Sequence, residues 1–220
     1  MVPRVAIRFE TEDGCSLEGE VRAPEDPGRG TAVLCHPHPL HGGSKDHPLL
    51  WNIRNDLAAR GFVVLSFNFR GVMGSEGEHG GGETELQDVR SAIGRVREEV
   101  TGPNPTVVAG WSFGGNVALR EATDDDRVAA LALVGFPVND PLGLPPPPDR
   151  DTLAAYDRPV LFLSGEADQF SPVPELRRLA RRLPKGEVVI VPDTDHFLWK
   201  REREAAQVIG EFVDRVLPAG

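Results

Sequence analysis

The sequence predicts an α/β protein: a mostly parallel central sheet flanked by helices on both faces and entered through an N-terminal β-hairpin. Six short continuous apolar runs, TAVLC, FVVLSFNF, TVVAG, VAALALVGF, PVLFLSG and EVVIV, suit strands buried on both faces. The segments between them repeat apolar residues at helical spacing, so strand and helix alternate along the chain. Of the 220 residues, 40% are hydrophobic and 26% charged, a balance that allows a real core.

Each element follows in order. Val5, Ile7 and Phe9 alternate with polar neighbours, as do Leu17, Gly19 and Val21 after the turn-forming EDG; this is the hairpin. The stretch PEDPGRG separates it from the first buried run. Leu50, Ile53 and Leu57 share one helical face, and Gly61 ends that helix. Leu86, Val89, Ile93, Val96 and Val100 form the next stripe, with Glu83 and Glu85 in a first turn that favours negative charge. Leu176, Leu179 and Leu183 repeat in the same way. Val208, Ile209, Phe212, Val213 and Val216 make a last amphipathic helix. No internal repeat interrupts this order. Gly135 to Asp157, with PPPP at Pro145 to Pro148, is the one compositional break. Read as a linker it would divide the sheet into two poor cores, so residues 1–220 read as a single domain with a short Pro-rich insertion at 135–157.

The formal charge of −10 disfavours binding to nucleic acid or to an anionic membrane surface, and neither partner is expected. Cys15 and Cys35 match no metal spacing, and Cys35, closing an apolar run, reads as a small buried hydrophobe. The N-terminus lacks the apolar region of a secretory signal, and no apolar run approaches a membrane span. The expectation is a soluble cytoplasmic protein.

The chemistry centres on GWSFGG, Gly110 to Gly115, which follows the TVVAG strand and precedes the helix-forming NVALREA. G-x-S-x-G between a strand and a helix is a nucleophile elbow, a tight bend that holds the serine hydroxyl clear of both elements. The alternative is a Gly-rich turn in which Ser112 caps the next helix. Serine needs a neighbouring base, itself oriented by a third group. Of six histidines, only His196 in PDTDHFLW lies downstream of Ser112 in the order Ser, acid, His. Between them, PVLFLSGEADQFSP offers Glu166 and Asp168 just after a strand. Asp193 and Asp195 are too close to His196 in sequence to reach its ring, and they read as loop-shaping residues.

GWSFGG, SGEAD and DTDHF, in this order, resemble the nucleophile elbow, acid loop and histidine loop of the α/β-hydrolase family. CHPHPLHGG and FNFRGVMGSEGE are similar to a bacterial subgroup of small hydrolases without a large cap. The resemblance covers nearly the whole chain and implies the α/β-hydrolase fold with no large cap domain. It places Asp168 as the acid, with Glu166 as the alternative. It also implies an oxyanion hole of two backbone amides. One is that of Phe113, next to the nucleophile. For the other, Pro37 and Pro39 have no N–H, which leaves His38 and Leu40; the family's usual register selects His38.

The implied reaction is hydrolysis of a small, short-acyl ester through an acyl-enzyme, with Ser112, Asp168 and His196 catalytic, His38 and Phe113 binding the substrate oxygen, and no cofactor. Thioesterase, peptidase or acyltransferase chemistry would use the same residues, and a non-catalytic hydrolase-like binding protein is the alternative from another class. His36, His38 and His41 lack the carboxylate or cysteine that would complete a metal site, so none is expected. The glycines of RGVMGSEGEHGGG are not spaced for a nucleotide; they read as a mobile loop at the active-site edge, with Arg70 structural. Of the two aromatics beside the serine, Phe113 rather than Trp111 is expected to wall the pocket.

Overall fold

The computed structural model describes residues 4–25, 28–101, 104–139 and 143–218. β1 (Arg4–Glu10) and β2 (Ser16–Arg22) form the expected antiparallel hairpin, pairing Phe9 with Leu17 and Val5 with Val21. Its inner end is buried at Phe9 and Leu17, whereas Val5 at the outer end is exposed.

The six apolar runs become β3 (Gly30–Cys35), β4 (Phe62–Phe67), β5 (Thr106–Trp111), β6 (Val128–Val134), β7 (Val160–Gly165) and β8 (Gly186–Val191). They pair in parallel, and β2 joins β4 antiparallel, in an eight-stranded sheet of order β1-β2-β4-β3-β5-β6-β7-β8. Both faces are covered, which is why these runs are continuous rather than alternating. Ala32, Leu34 and Val64 face α1 (Pro48–Ala59) and α6 (Glu202–Val216), meeting Leu50, Ile53, Ile209 and Phe212. Val33, Leu65 and Val108 face the other way, towards α2 (Glu85–Arg97), α3 (Phe113–Ala122) and α5 (Val173–Ala180). β8 departs from the expectation of full burial: it is the outer edge strand, and five of its six residues are only half-buried.

The Pro-rich insertion carries one short helix that the sequence reading lacks, α4 (Arg150–Ala155). Asp149 caps it by accepting from the Thr152 amide at 2.8 Å, and Leu153 anchors it in the core. There is no large cap domain. The FVVLSFNF run leaves the sheet after Phe67 because its last residues serve the loops: the Asn68 side chain accepts from the Lys45 amide, and the Phe69 amide donates to His36. Among the described residues no helix is long and apolar enough to cross a membrane.

Strand order reverses at β3, with β4 on one side and β5 on the other. In an open parallel sheet, loops leaving the strand ends diverge at such a point and open a crevice. The register pairs Cys35 with Gly110, so the CHPHPLHGG loop and the Ser112 bend leave the sheet side by side.

Candidate active site

Ser112 stands between β5 and α3 with φ 54° and ψ −116°, a conformation hostile to an L-residue. The bend is tied at both ends: the Ser112 amide donates to the Val134 carbonyl at 2.8 Å, and its own carbonyl accepts from the Gly115 and Asn116 amides. The flanking glycines are steric requirements. A Cβ on Gly110 would lie 2.4 Å from the Gly114 carbonyl oxygen, and one on Gly114 would lie 2.4 Å from that of Cys35. The Ser112 side chain makes no capping hydrogen bond to α3, which removes the helix-cap alternative.

Asp168 follows β7 and is 3% exposed. Its Oδ2 accepts from His196 Nδ1 at 2.9 Å and from Ser164 Oγ at 3.0 Å, while Oδ1 accepts from the Phe170 amide at 2.9 Å. Three donors satisfy a carboxylate that would otherwise be costly to bury. With Nδ1–H committed to Asp168, the His196 lone pair lies on Nε2. The ring packs edge-on to Phe170 at 4.7 Å between centroids, and the His196 carbonyl accepts from Trp111 Nε1 at 3.3 Å. Glu166 is exposed and turned to the Asp193 amide, 3.4 Å away, so His196 meets Asp168 and not Glu166. Asp195 shapes the loop, its Oδ1 accepting from the Phe197 amide.

The CHPHPLHGG loop folds around His38, whose carbonyl accepts from the His41 and Gly43 amides, both at 3.1 Å. Its Nδ1 accepts from the Leu40 amide at 3.2 Å, capping a 3₁₀ turn over Pro39–His41. The His38 and His41 rings meet edge-on at 4.8 Å between centroids, but His36 stands apart from them. His36 is fully buried, with Nε2 accepting from the Phe69 amide at 3.0 Å and Nδ1 lying 2.6 Å from the Pro37 carbonyl, so it pins this loop to the end of β4. Burial pushes its pKa down to about 4 and keeps it neutral. Among the described residues no three His, Cys, Asp or Glu side chains gather as metal ligands. Burial likewise pushes the Cys35 thiol well above its ordinary value.

Ser112, His196 and His38 line one cavity of 330 Å³. Its wall corrects the sequence reading. Trp111, Phe170, Phe197 and Trp199 line it, whereas the Phe113 ring does not. Phe113 is fully buried and packs against Phe69, with ring centroids 5.3 Å apart. As the first residue of α3, it keeps its amide at the open, positive end of the helix. The sequence reading also missed His47, which caps α1 through the Leu49 amide and lies against Trp111 at 4.4 Å between ring centroids. Phe197 and Trp199 were missed as well, although DHFLW shows them as an aromatic cluster in a polar loop.

The glycine-rich loop, expected to be mobile, is instead fastened. Glu85 accepts from the Gly80 and Gly82 amides, both at 2.8 Å, and Ser75 Oγ donates to the Asn68 carbonyl at 2.7 Å. Arg70 is buried between Asp88 and Asp13, 2.7 and 2.8 Å away, and is a structural residue as read.

This fold, with a serine on a strained elbow and a buried Asp–His pair whose imidazole lines the same cavity, defines an α/β serine hydrolase class. A family model described as an alpha/beta hydrolase domain matches residues 31–216, and the chain belongs to the α/β-hydrolase family. It is similar to an α/β serine hydrolase without a lid from Xanthomonas campestris, with a TM-score of 0.81 and 28% identity over 99% of this chain and 96% of that one. An uncharacterized protein of Rickettsia prowazekii is 26% identical over 94% of this chain and 87% of its own length. A polyketide transferase from a Penicillium species is 32% identical over 78% of this chain, a match that spans 58% of that longer protein.

Proposed function

We propose that the protein hydrolyses small, uncharged carboxylic esters through an acyl-enzyme. Ser112 Oγ attacks the ester carbonyl while His196 Nε2 takes its proton, and Asp168 orients the imidazole and stabilises its cationic form. The amides of His38 and Phe113 hold the tetrahedral oxyanion. Collapse breaks the C–O bond, and His196 returns the proton to the departing alcohol. Water, deprotonated by the same nitrogen, then attacks the acyl-enzyme; collapse expels Ser112 Oγ, which regains its proton from His196 and frees the acid. The observation that carries this reading is the Asp168–His196 hydrogen bond at 2.9 Å beside a serine held in a strained bend of the same cavity. His38 is preferred over Leu40 because the Leu40 amide already donates to His38 Nδ1.

An uncharged substrate follows from the cavity wall: among the described residues no Asp, Glu, Lys or Arg lines it. The protein's charge of −10 also repels anions. Likeness to a polyketide transferase favours a second reading, in which an alcohol or thiol replaces water as acyl acceptor.

A fluorophosphonate probe tests the nucleophile, with the adduct located by mass spectrometry. The reading expects one adduct, on Ser112, lost in Ser112→Ala. Labelling elsewhere, or none on folded protein, overturns it. Product ratios with added alcohol or thiol then separate hydrolysis from transfer.

A further inference from the structure

The segment between β8 and α6 presents two large aromatic rings at the cavity. Phe197 is 40% exposed and Trp199 58%, and their rings stack at 6.1 Å between centroids with an interplanar angle of 27°. Rings in this position leave apolar area in water that a bound molecule would cover.

The backbone is bent to keep them there. Leu198, between the two, is fully buried and adopts φ 52°, and Lys200, just beyond, adopts φ 65°. Both values lie in the left-handed region that non-glycine residues avoid, and such strain persists only where surrounding contacts impose it. Here the turn is closed by the Phe197 amide on Asp195 Oδ1 at 2.9 Å and the Arg201 amide on the Leu198 carbonyl at 2.9 Å. Leu198 is driven into the core, and its neighbours are held outward.

These rings join others without a break. His47 lies 6.2 Å from Trp199 and 4.4 Å from Trp111, while Phe197 lies 5.5 Å from His196. The mouth of the cavity is thus connected by rings to the His196 imidazole, which lines the same cavity as Ser112. Aromatic rings have electron-rich faces and positive edges, so they favour another flat ring over a saturated group of similar area.

We propose that this cavity selects substrates bearing an uncharged aromatic ring close to the ester carbonyl, held by Phe197 and Trp199. The inference rests on the ester-hydrolase reading for the reaction it serves. The ring belongs to the acyl or to the alcohol part, and two substrate pairs distinguish these. Methyl 3-phenylpropanoate is compared with methyl 3-cyclohexylpropanoate, and 2-phenylethyl acetate with 2-cyclohexylethyl acetate, by titrating the acid released. In one pair the phenyl ester should have a kcat/KM higher by roughly 2- to 10-fold, mainly through KM. Trp199→Leu should erase that preference. Trp51→Leu, an exposed tryptophan on α1 outside the cavity wall, should keep it. Equal turnover in both pairs, or a preference untouched by Trp199→Leu, overturns the proposal. A binding titration needs no turnover: 3-phenylpropan-1-ol and 3-cyclohexylpropan-1-ol are added to the wild-type protein and followed by tryptophan fluorescence and calorimetry. Tighter binding of the phenyl alcohol, lost in Trp199→Leu, supports the proposal. Equal or weaker binding overturns it. Loss of hydrolysis alone would sink only the ester-hydrolase reading.

Discussion

Replacing Ser112 by glycine should make the protein more stable while abolishing its activity. The residue sits at φ 54° and ψ −116°, which for an L-residue costs on the order of 1–3 kcal/mol. Glycine adopts this backbone without the Cβ clash but adds freedom to the unfolded chain, worth about 0.5–1 kcal/mol against it. No cap is lost, because the serine hydroxyl makes no hydrogen bond to α3. The net gain is roughly 0–2.5 kcal/mol. For a chain of this length each kcal/mol moves Tm by about 2–4 °C. Ser112→Ala keeps the Cβ and the strain, so its stability should match the wild type. Both variants lose the nucleophile and should fall in kcat by on the order of 10⁴ or more. Urea unfolding followed by circular dichroism, with m values compared, gives the three stabilities. An alanine variant as stable as the glycine variant, or more so, would overturn the prediction and hold the strain to no more than the roughly 0.5–1 kcal/mol that glycine's freedom costs. Retained esterase activity in folded Ser112→Ala would remove the nucleophile assignment.

Asp168→Asn must turn its NH₂ either to the Phe170 amide or to His196 Nδ1; the second choice keeps the loop but forces the wrong tautomer, so kcat should fall on the order of 10³–10⁴. Glu166→Gln, exposed and away from the imidazole, should cost little, and the reverse ranking would move the acid to Glu166. With a cavity of 330 Å³ and no large cap, p-nitrophenyl acetate and butyrate should show higher kcat/KM than laurate or palmitate, since each buried methylene adds only about 0.8 kcal/mol and the tail's end stays in water; a steady rise through palmitate contradicts this. His36 titrates at about 4 when folded and about 6.5 when unfolded, so the unfolded chain binds more protons between these values, and stability falls as pH drops through that window. From pH 7.5 to 4.5 the loss from this group should be about 2–3 kcal/mol, and His36→Gln, which still accepts from the Phe69 amide, should show a flatter pH slope; equal slopes count against a neutral buried imidazole.

The elements legible in the sequence were those whose signal is local. Continuous apolar runs and helical stripes are set by burial, and burial on two faces leaves no polar alternation to misread. The elbow was legible because sterics at Gly110 and Gly114 leave few residues that fit. The cavity wall was not. Trp111 and Phe113 flank the same serine, and only the direction in which the bend sends each ring decides which one lines the cavity. Trp111 ends a strand facing α1 and α6, whereas Phe113 begins a helix that packs into the opposite core. The glycine-rich loop misled for a similar reason. Its restraints come from residues outside the glycine run: the side chains of Glu85 and Asp88 accept from amides of the loop and its flank, and the Asn68 carbonyl accepts from Ser75 Oγ. Helix α4 escaped because six residues after a proline run carry too little periodicity to register.

Backbone strain in this molecule is concentrated around the proposed reaction centre. Among the described residues, the non-glycine positions with positive φ are Met73, Ser112, Asp193, Leu198 and Lys200. Four of these five belong to the Ser112 bend or to the segment that carries His196, Phe197 and Trp199. Such conformations persist only when the surroundings over-determine them. The Ser112 bend is held by the Val134 carbonyl and by α3. The histidine segment is held by a fully buried Leu198 and by Asp168, which is itself anchored to Ser164 and the Phe170 amide. A chain selected for stability alone would place glycine at these positions or relax the turns. Serine at 112 keeps a nucleophilic hydroxyl at the cavity, and leucine at 198 turns its aromatic neighbours outward. On this argument Leu198→Gly, although it relieves a left-handed backbone, should lose more stability from the emptied core site than it gains, and should loosen Trp199. Chemical denaturation together with a red shift in tryptophan emission would detect both effects, and a stabilised variant with unchanged emission would show that the segment is not strained in order to hold its rings.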